Sequence, residues 1–350
     1  MEVKSYEIIP DTIWDDFCLN NSQGWFWHSS FRIKHALNAS KDFKSTNKSF
    51  GIFYEKKLIS IVPLVHDYDV KEKISLFTFG GFGTPVPLVD DNLSNENKKK
   101  IYKKIYSKID ELAVALDIKK IHIFQPTSYP FKILNNISLK YGYSDISSAT
   151  QILNLENKEL FNEVTKNHKR AIKKADNILD VKIYNSKNIT ENIFKKYKDF
   201  YKIQAGTSSR PDMIYELAYK YLKNDLAVLG IAKFNNNEVG YVLVIYYKQI
   251  GYFLNSAMDK QFDKCPVSHL IHWKIIKYLQ EKNIKIYELG LQEYTNNFNE
   301  NPTKKQLNIS DFKKGFGGIT ITKFAAEKIY DKKYAEKILN QRMKNFLNKF

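Results

Sequence analysis

A chain of 350 residues, 43% of them hydrophobic and 27% charged, has the composition of a globular protein, and its length suits two domains of about 150 residues. This composition excludes disordered, collagen-like and disulfide-scaffold proteins, and the apolar stretches are shorter than the roughly 18 residues that span a bilayer. The 55 Lys and Arg residues exceed the 38 Asp and Glu residues by 17. That surplus predicts either a polyanionic partner or a lysine-rich soluble surface.

The amino terminus and the cysteines indicate the compartment. Residues 1–4 open no signal-peptide pattern. Cys18 and Cys265 are two thiols far apart in sequence, which is typical of a reducing environment. We therefore expect a cytoplasmic protein without a transmembrane segment.

Strand and helix signals in the first half follow a definite order. Runs of aromatic and β-branched residues predict strands, and apolar residues three or four positions apart predict a helix. Helical sequence over 13–39 precedes three strands, a helix and a closing strand. These are predicted at Phe50–Tyr54, Leu58–His66, Ile74–Phe79, Asn95–Asp117 and Lys119–Phe124.

The second half repeats that order. Helical sequence over 160–221 precedes elements predicted at Leu226–Phe234, Val239–Tyr247, Ile250–Met258, Pro266–Gln280 and Ile284–Leu289. The repetition predicts two copies of one α/β unit, which we place at residues 1–150 and 151–324. Residues 325–350 are predicted to form a basic amphipathic helix that packs back on the body.

This order of elements resembles the GNAT acetyltransferase fold, and a tandem pair of such units is similar to the Fem family and to tandem-GNAT proteins of surface-sugar clusters. The likeness lies in a basic helix (161–175), a fourth strand (251–257) and a closing strand (287–290). It also lies in a Phe-Lys-Lys-Gly-Phe-Gly turn within 309–318, and residues 27–30 match the amino-terminal loop of the family.

The resemblance implies an α/β fold of two tandem GNAT-like domains, each with a mixed, mostly antiparallel sheet flanked by helices. Fem proteins are peptidyltransferases that add amino acids from aminoacyl-tRNA to cell-wall precursors. The implied function is transfer of an aminoacyl or acyl group to an amine of a nucleotide-linked precursor of peptidoglycan or a surface polysaccharide. The donor would be aminoacyl-tRNA or acyl-CoA, with no tightly bound cofactor.

The chain departs from that family at two places. The best-known Fem enzymes carry a coiled-coil insertion in the second unit, for which this sequence has no room. Residues 83–85 read Gly-Thr-Pro where many members have Arg-Gly-Pro. The identities of the donor and the acceptor therefore stay open.

Basic residues are the first candidates for substrate binding. Lys169 and Arg170 belong to a run of cations three or four residues apart, whose mutual repulsion a bound polyanion would relieve. Arg210 lies in a turn-rich segment, and its planar guanidinium suits bidentate phosphate binding. The resemblance adds three acceptor-site candidates: Tyr252, Asn255 and Lys313. Each candidate also has a purely structural alternative. The basic helix would present a solvated lysine face, Tyr252 would pack in the core, and Lys313 would be a surface turn residue.

The start of the second unit's last predicted helix is the candidate site for donor phosphates. Free backbone N–H groups and the helix dipole at Pro266, Val267 and Ser268 favour an anion. The glycine-rich loop of most GNAT units is missing from residues 259–265. In the first unit Gly80–Gly83 occupies the matching place, where either a phosphate loop or a plain turn fits.

Direct acyl transfer to an amine needs positioning, a proton acceptor and a group that polarises the carbonyl. We predict Glu288, Asp311 or His28 as the catalytic base, unless substrate phosphate or solvent takes the proton. Cys265, His269 and His272 would share one helix face. They lack a fourth ligand, so we predict packing and capping roles and no metal site.

Two other functions fit the sequence. One is an acetyl-CoA-dependent sugar N-acetyltransferase. The other is a non-catalytic RNA-binding protein that uses the surplus charge and the 23 Tyr and 23 Phe residues to contact nucleotides. The predicted partners are thus a nucleotide-linked small-molecule acceptor and tRNA, and the oligomeric state stays open.

Overall fold

The structure is a computed structural model that describes residues 1–130, 135–204, 211–295, 298 and 301–349. The α-helices of this part are α1 (Asp11–Asn20), α2 (Ser30–Ala36), α3 (Asn95–Ala115), α4 (Leu160–Glu163), α5 (Lys166–Asp176), α6 (Glu191–Gln204), α7 (Asp212–Lys223), α8 (Val267–Glu281), α9 (Lys304–Lys314) and α10 (Lys332–Leu347). The strands are β1 (Glu2–Ser5), β2 (Phe43–Asn47), β3 (Phe50–Tyr54), β4 (Lys57–Val62), β5 (Val65–Asp69), β6 (Ile74–Phe77), β7 (Thr84–Pro85), β8 (Leu88–Val89), β9 (Ile118–Phe124), β10 (Ser144–Asp145), β11 (Ser148–Asn154), β12 (Asp180–Tyr184), β13 (Ala227–Phe234), β14 (Asn237–Tyr247), β15 (Ile250–Met258), β16 (Ile286–Gln292), β17 (Ile319–Lys323) and β18 (Ala325–Ile329).

The chain folds into two compact units. The first comprises Met1–Ser148, Tyr294–Thr303 and Thr322–Phe350, and the second comprises Ala149–Glu293 and Lys304–Ile321. The first unit therefore includes one segment that interrupts the sequence of the second unit and one that follows it. None of the described helices is long and apolar enough to cross a bilayer.

The first unit contains two sheets. One has the strand order β1-β3-β4-β8, and the other has the order β10-β18-β9-β6-β5-β2 with β7 paired to β9. The single strand predicted over 58–66 is two strands, β4 and β5, one in each sheet. Pro63 lies at the break, where a residue without an N–H donor cannot continue a ladder. Ile101, Ile105 and Ile109 of α3 are buried in the core of this unit.

The prediction of one helix over 325–350 is wrong in its first part. Residues Ala325–Ile329 form β18, which pairs antiparallel with β9 and β10, and α10 begins only at Lys332. The Ala-Ala-Glu-Lys sequence has a high helix propensity, but pairing on both sides within a sheet overrides it. The Asp331 side chain caps α10 by accepting a hydrogen bond from the Tyr334 N–H at 2.8 Å.

The second unit has one sheet with the order β12-β13-β14-β15-β16-β11-β17. Its described registers are antiparallel except for β15 with β16, which are parallel. Helix α8 covers one face closely, because a Cβ atom at Gly230 would lie 2.5 Å from Ile271 and one at Gly240 would lie 2.6 Å from Val267. Buried apolar residues of β13, β14 and α8 form this core.

In the second unit, β15 and β16 separate after a short paired stretch. They pair only at Ile250 with Ile286, Gly251 with Tyr287 and Tyr252 with Glu288. Beyond this point β15 continues along β14, and β16 continues along β11. The result is a fork in the sheet.

The first unit has a matching pair of parallel strands. Strand β6 pairs with β9 as far as Phe77 and Ile121. Beyond it, Thr84 of β7 takes the place beside Ile123 of β9. A segment of the same unit therefore fills the position that is open in the second unit.

Candidate active site

Glu288 lies at the fork of the second unit. It is the last residue of β16 that pairs with β15, and only 2% of it is exposed. Its Oε1 accepts a hydrogen bond from the Thr150 hydroxyl at 2.8 Å. The carboxylate is therefore held in one orientation at the end of the paired stretch.

Asn255 lies on the part of β15 beyond the fork. The register of β15 with β14 shifts there, since Leu243 faces Asn255 but Val244 faces Phe253. Leu254 is thus the extra residue of a β-bulge, a feature that redirects neighbouring side chains. The Asn255 Oδ1 accepts a hydrogen bond from the Tyr197 hydroxyl of α6 at 2.9 Å. This contact orients the Asn255 amide.

Lys313 lies near the end of α9 and contacts β16. Its Nζ donates to the Leu291 carbonyl oxygen at 2.8 Å, three residues beyond Glu288. Gly290 lies beside the same ammonium group: a Cβ there would be 3.4 Å from Nζ, and the φ angle of Gly290 is +94°. The predicted residues Tyr252, Asn255, Glu288 and Lys313 therefore all lie on or against the two strands that form the fork.

A cavity of about 380 Å³ lies at the amino terminus of α8. Its lining is Met258, Phe262, Asp263, Lys264, Cys265, Pro266, Val267, Ser268, His269 and Phe312. Pro266 is the cap residue of α8 and provides no side-chain hydrogen bond to the first turn. The backbone N–H groups of a first helical turn have no partner within the helix and carry partial positive charge, which suits an anion.

Two lysines add positive charge at this cavity. Lys264 lines it, and the ammonium of Lys174 from α5 lowers the pKa of Cys265. Burial acts in the opposite direction and is the larger effect, so the pKa of this thiol is raised overall. Burial therefore favours the protonated form of the Cys265 thiol.

A cluster of rings joins α5, α8 and the turn after α9. The His168 Nε2 donates to the Phe312 carbonyl oxygen at 2.9 Å, and the His168 ring lies 4.4 Å from that of His269. Gly315 is required here, because a Cβ atom would lie 2.0 Å from the His168 ring. The Gly315 carbonyl oxygen in turn accepts from the Thr165 N–H at 3.0 Å. These contacts fix the amino terminus of the basic helix beside the cavity.

Burial favours the neutral form of the histidines in this cluster. Burial is the main cause that lowers the pKa of His269 to about 4 and of His272 to about 3. The His272 Nδ1 lies 3.0 Å from the Tyr287 hydroxyl. Within the described ranges, no group of three or more His, Cys, Asp or Glu side chains could hold a metal ion.

The cations of α5 differ in their surroundings. The Lys169 Nζ donates to the Asn162 carbonyl oxygen at 3.0 Å and lies 5.8 Å from the Phe161 ring centre. Arg170, Lys173 and Lys174 are exposed. Lys169 is thus bonded to the preceding helix, and the exposed cations beside it form a positively charged surface.

The remaining predicted residues are Arg210, Asp311 and His28. Arg210 is outside the described residues. Asp311 is exposed on α9. His28 belongs to the first unit and is completely buried. Its Nδ1 accepts from the Trp25 N–H at 3.1 Å, and its Nε2 donates to the Val86 carbonyl oxygen at 2.9 Å. This bonding engages both ring nitrogens with backbone groups of the first unit.

The glycine-rich segment of the first unit is a turn that binds a carboxylate of its own unit. Asp67 is completely buried and accepts hydrogen bonds from the Gly80 N–H at 2.7 Å and the Gly81 N–H at 3.3 Å. The hydroxyls of Thr78 and Ser45 also donate to it, at 2.6 and 2.5 Å. The N–H groups of Gly80 and Gly81 are therefore hydrogen-bonded within the first unit.

Sequence reasoning missed several residues of the site. Thr150 and Tyr197, which orient Glu288 and Asn255, come from a strand and a helix distant in sequence. Gln292, at the end of β16, is 2% exposed, and its amide has no hydrogen-bond partner in the described structure. The presence of a buried glutamine at a strand end is not visible in the sequence pattern.

Residues 162–300 match the acetyltransferase (GNAT) domain family. The matched range includes α5, the fork and the cavity lining except Phe312. No curated protein sequence matches the chain.

Solved structures share the fold over almost the whole chain. FemX is 14% identical with a TM-score of 0.68, covering 97% of this chain and 100% of its own. A tandem GNAT protein from the clavulanic acid biosynthesis pathway is 10% identical with a TM-score of 0.54, covering 94% and 98%. L-PGS from Bacillus licheniformis is 10% identical with a TM-score of 0.52, covering 90% and 96%. The predicted tandem GNAT fold is confirmed.

Proposed function

We propose that this GNAT-type acyltransferase moves an aminoacyl or acyl group to an amine of a nucleotide-linked precursor in cell-wall or surface-glycan biosynthesis. The premise that the chain is an acyltransferase follows from its matched domain and its fold. This premise sets aside the alternative of a non-catalytic RNA-binding protein. The proposal adds the substrates and the residues.

The observation that carries the proposal is the fork between β15 and β16 in the second unit. It exposes the edges of two parallel strands beside a fixed carboxylate, Glu288, and an ammonium group, Lys313. The unit also has a cavity with an anion-favouring helix terminus at Pro266–Ser268. A donor that combines an acyl group with phosphates needs both features.

The proposed reaction is direct transfer. The amine nitrogen of the acceptor attacks the acyl carbonyl carbon, and a new C–N bond forms. The bond to the donor breaks, and its electron pair leaves with the sulfur of CoA or with the ribose oxygen of tRNA. Glu288 takes the proton released by the amine, while the Asn255 amide and the backbone of β15 orient the substrate.

The acceptor would bind through phosphate. An ammonium group has three N–H donors, so Lys313 can bind a substrate oxygen as well as the Leu291 carbonyl. Tyr252, at the fork, would contact the sugar or peptide part. Arg210 remains a sequence-based candidate for the same phosphate.

Two alternative donors are compatible with the cavity at α8. Acetyl-CoA is favoured by the cavity at α8 and by the matched domain family, and would make the protein a sugar N-acetyltransferase. Aminoacyl-tRNA is favoured by the exposed cations of α5 and by the similarity to FemX. Both donors occur in the cytoplasm, where we propose that the enzyme acts.

Calorimetric titration with acetyl-CoA at low and moderate salt separates the two donors. Saturable one-site binding that survives salt would support the acetyl-CoA reaction. Absence of binding would direct the next titrations to charged tRNA and a UDP-linked muropeptide. Failure of all three, together with no acyl transfer from either donor, would exclude the proposed substrates.

A further inference from the structure

Helix α10 carries an apolar stripe that faces solvent. Leu339, Met343 and Leu347 are 48%, 50% and 59% exposed. They lie four residues apart, so they follow one another along the same face of the helix. Single exposed apolar residues are ordinary, but three in line form a continuous surface.

The opposite face of α10 is fixed to the first unit. The Arg342 guanidinium forms two hydrogen bonds with the Glu327 carboxylate of β18, one of them 2.8 Å long. Glu327 is 4% exposed, so this ion pair is shielded from water. The helix therefore cannot turn its stripe inward without breaking a buried ion pair.

The charges around the stripe are mainly positive. Residues 331–349 contain six basic side chains and two acidic ones. Arg342 and Lys337 pair with Glu327 and Glu72, and Asp331 pairs with Lys119. Lys332, Lys333 and Lys344 are exposed. Their long aliphatic stems allow the ammonium groups to reach anions while the stems lie on apolar surface.

We propose that α10 docks the protein on an anionic lipid surface, with Leu339, Met343 and Leu347 inserted between the headgroups and the lysines on lipid phosphates. A helix with an apolar face and flanking lysines lies in the plane of such an interface. RNA is a poorer fit, because the exposed side chains are aliphatic and do not stack on bases. A second copy is disfavoured, since two faces of the same positive charge would repel.

The test is flotation of the full chain with vesicles of phosphatidylglycerol and phosphatidylcholine, compared with vesicles of phosphatidylcholine alone. The protein should float with the anionic vesicles and less so as salt is raised. The L339Q/M343Q/L347Q variant should bind at least about tenfold more weakly. Removing two exposed charges in K333Q/K344Q should weaken binding by roughly five- to thirtyfold.

The matched control is V114Q, which replaces a 79% exposed apolar residue on α3 of the same unit. It should bind as the unchanged protein does. All variants should melt at the same temperature, since each position is exposed. Lack of binding to anionic vesicles, or unchanged binding of the triple variant, would overturn the proposal. The proposal would also be overturned if the unchanged protein did not bind vesicles and the triple variant instead lost self-association or RNA binding. These readouts do not depend on acyl transfer.

Discussion

Tyr252 and Glu288 face each other across the last paired position of β15 and β16. Tyr252 is half-buried, and Glu288 is buried. Because the strands diverge immediately beyond them, we propose that the substrate binds next to this tyrosine and this carboxylate. This pair therefore defines where the chemistry of the second unit should occur.

Replacing Glu288 by Gln should lower kcat by about 100-fold or more, because the proton acceptor is lost while the shape is kept. Donor affinity, measured by titration, should stay the same. The control is T150V, which removes the hydrogen bond to Glu288 but keeps the carboxylate. Its kcat should fall by less than about tenfold. Full activity of E288Q would exclude Glu288 as the base.

Replacing Lys313 by Met should weaken the acceptor. The change removes the ammonium group held at Leu291, and a charged hydrogen bond to phosphate contributes about 1.5–3 kcal/mol, so KM for the acceptor should rise roughly ten- to hundredfold. Turnover at saturation should change little. K314M, at the next position, is the control. A collapsed kcat with normal KM would instead make Lys313 part of the chemical step.

Replacing Ser268 by Asp should weaken binding of the phosphate-bearing donor. The new carboxylate would lie in the first turn of α8 at the cavity, where it repels phosphate, and Kd should rise about tenfold or more. The fold should be stable, because an acidic residue near a helix amino terminus is favourable by about 0.3–1 kcal/mol. S268N, which adds no charge, should bind the donor normally. Equal donor affinity of S268D and S268N would show that the phosphates bind elsewhere.

Stability should fall as pH falls from about 6.5 to 4. Burial lowers the pKa of His122 and His269 to about 4 and of His272 to about 3, below the roughly 6.5 of an exposed histidine. The unfolded chain then binds more protons than the folded one in this window, so the free energy of unfolding rises with pH. At pH 5 each of these histidines should cost on the order of 2 kcal/mol. Urea unfolding at pH 5 and 7 measures the difference.

The matched variant for this prediction is H272F, which keeps a ring but cannot titrate. Between pH 7 and pH 5, its free energy of unfolding should fall by less than that of the unchanged protein. The difference should be about 2 kcal/mol, the contribution of one histidine. The same dependence in both proteins would mean that His272 is not the buried neutral group described above.

Periodicity predicted the second unit well. The strand Ile250–Met258 has the same ends in sequence and structure, because its apolar and aromatic run is bounded by turn residues. The strand predicted over 58–66 failed at Pro63, which was visible but was not given enough weight. The tail strand Ala325–Ile329 could not be predicted locally, because its pairing with β9 joins residues about 200 positions apart.

Residues of the candidate site could be predicted only where they belong to a segment that resembles a known family. Lys313 and Glu288 come from segments that resemble a known family, and the structure puts both at β16. His28 also lies in a segment that resembles the family, but nothing in the sequence shows that backbone groups at Trp25 and Val86 bind its ring nitrogens. Thr150 and Tyr197 orient other side chains across the fold, and such contacts have no sequence signature.

In the first unit, a carboxylate of the same unit binds the glycine-rich turn, so we do not expect this unit to bind a donor molecule. The carboxylate of Asp67 binds the turn at Gly80 and Gly81, and Thr84 of β7 completes the sheet beside β9. Although the chain has two copies of the fold, it should bind one donor molecule per polypeptide. A titration that saturates near one equivalent agrees with this, and two equivalents would contradict it.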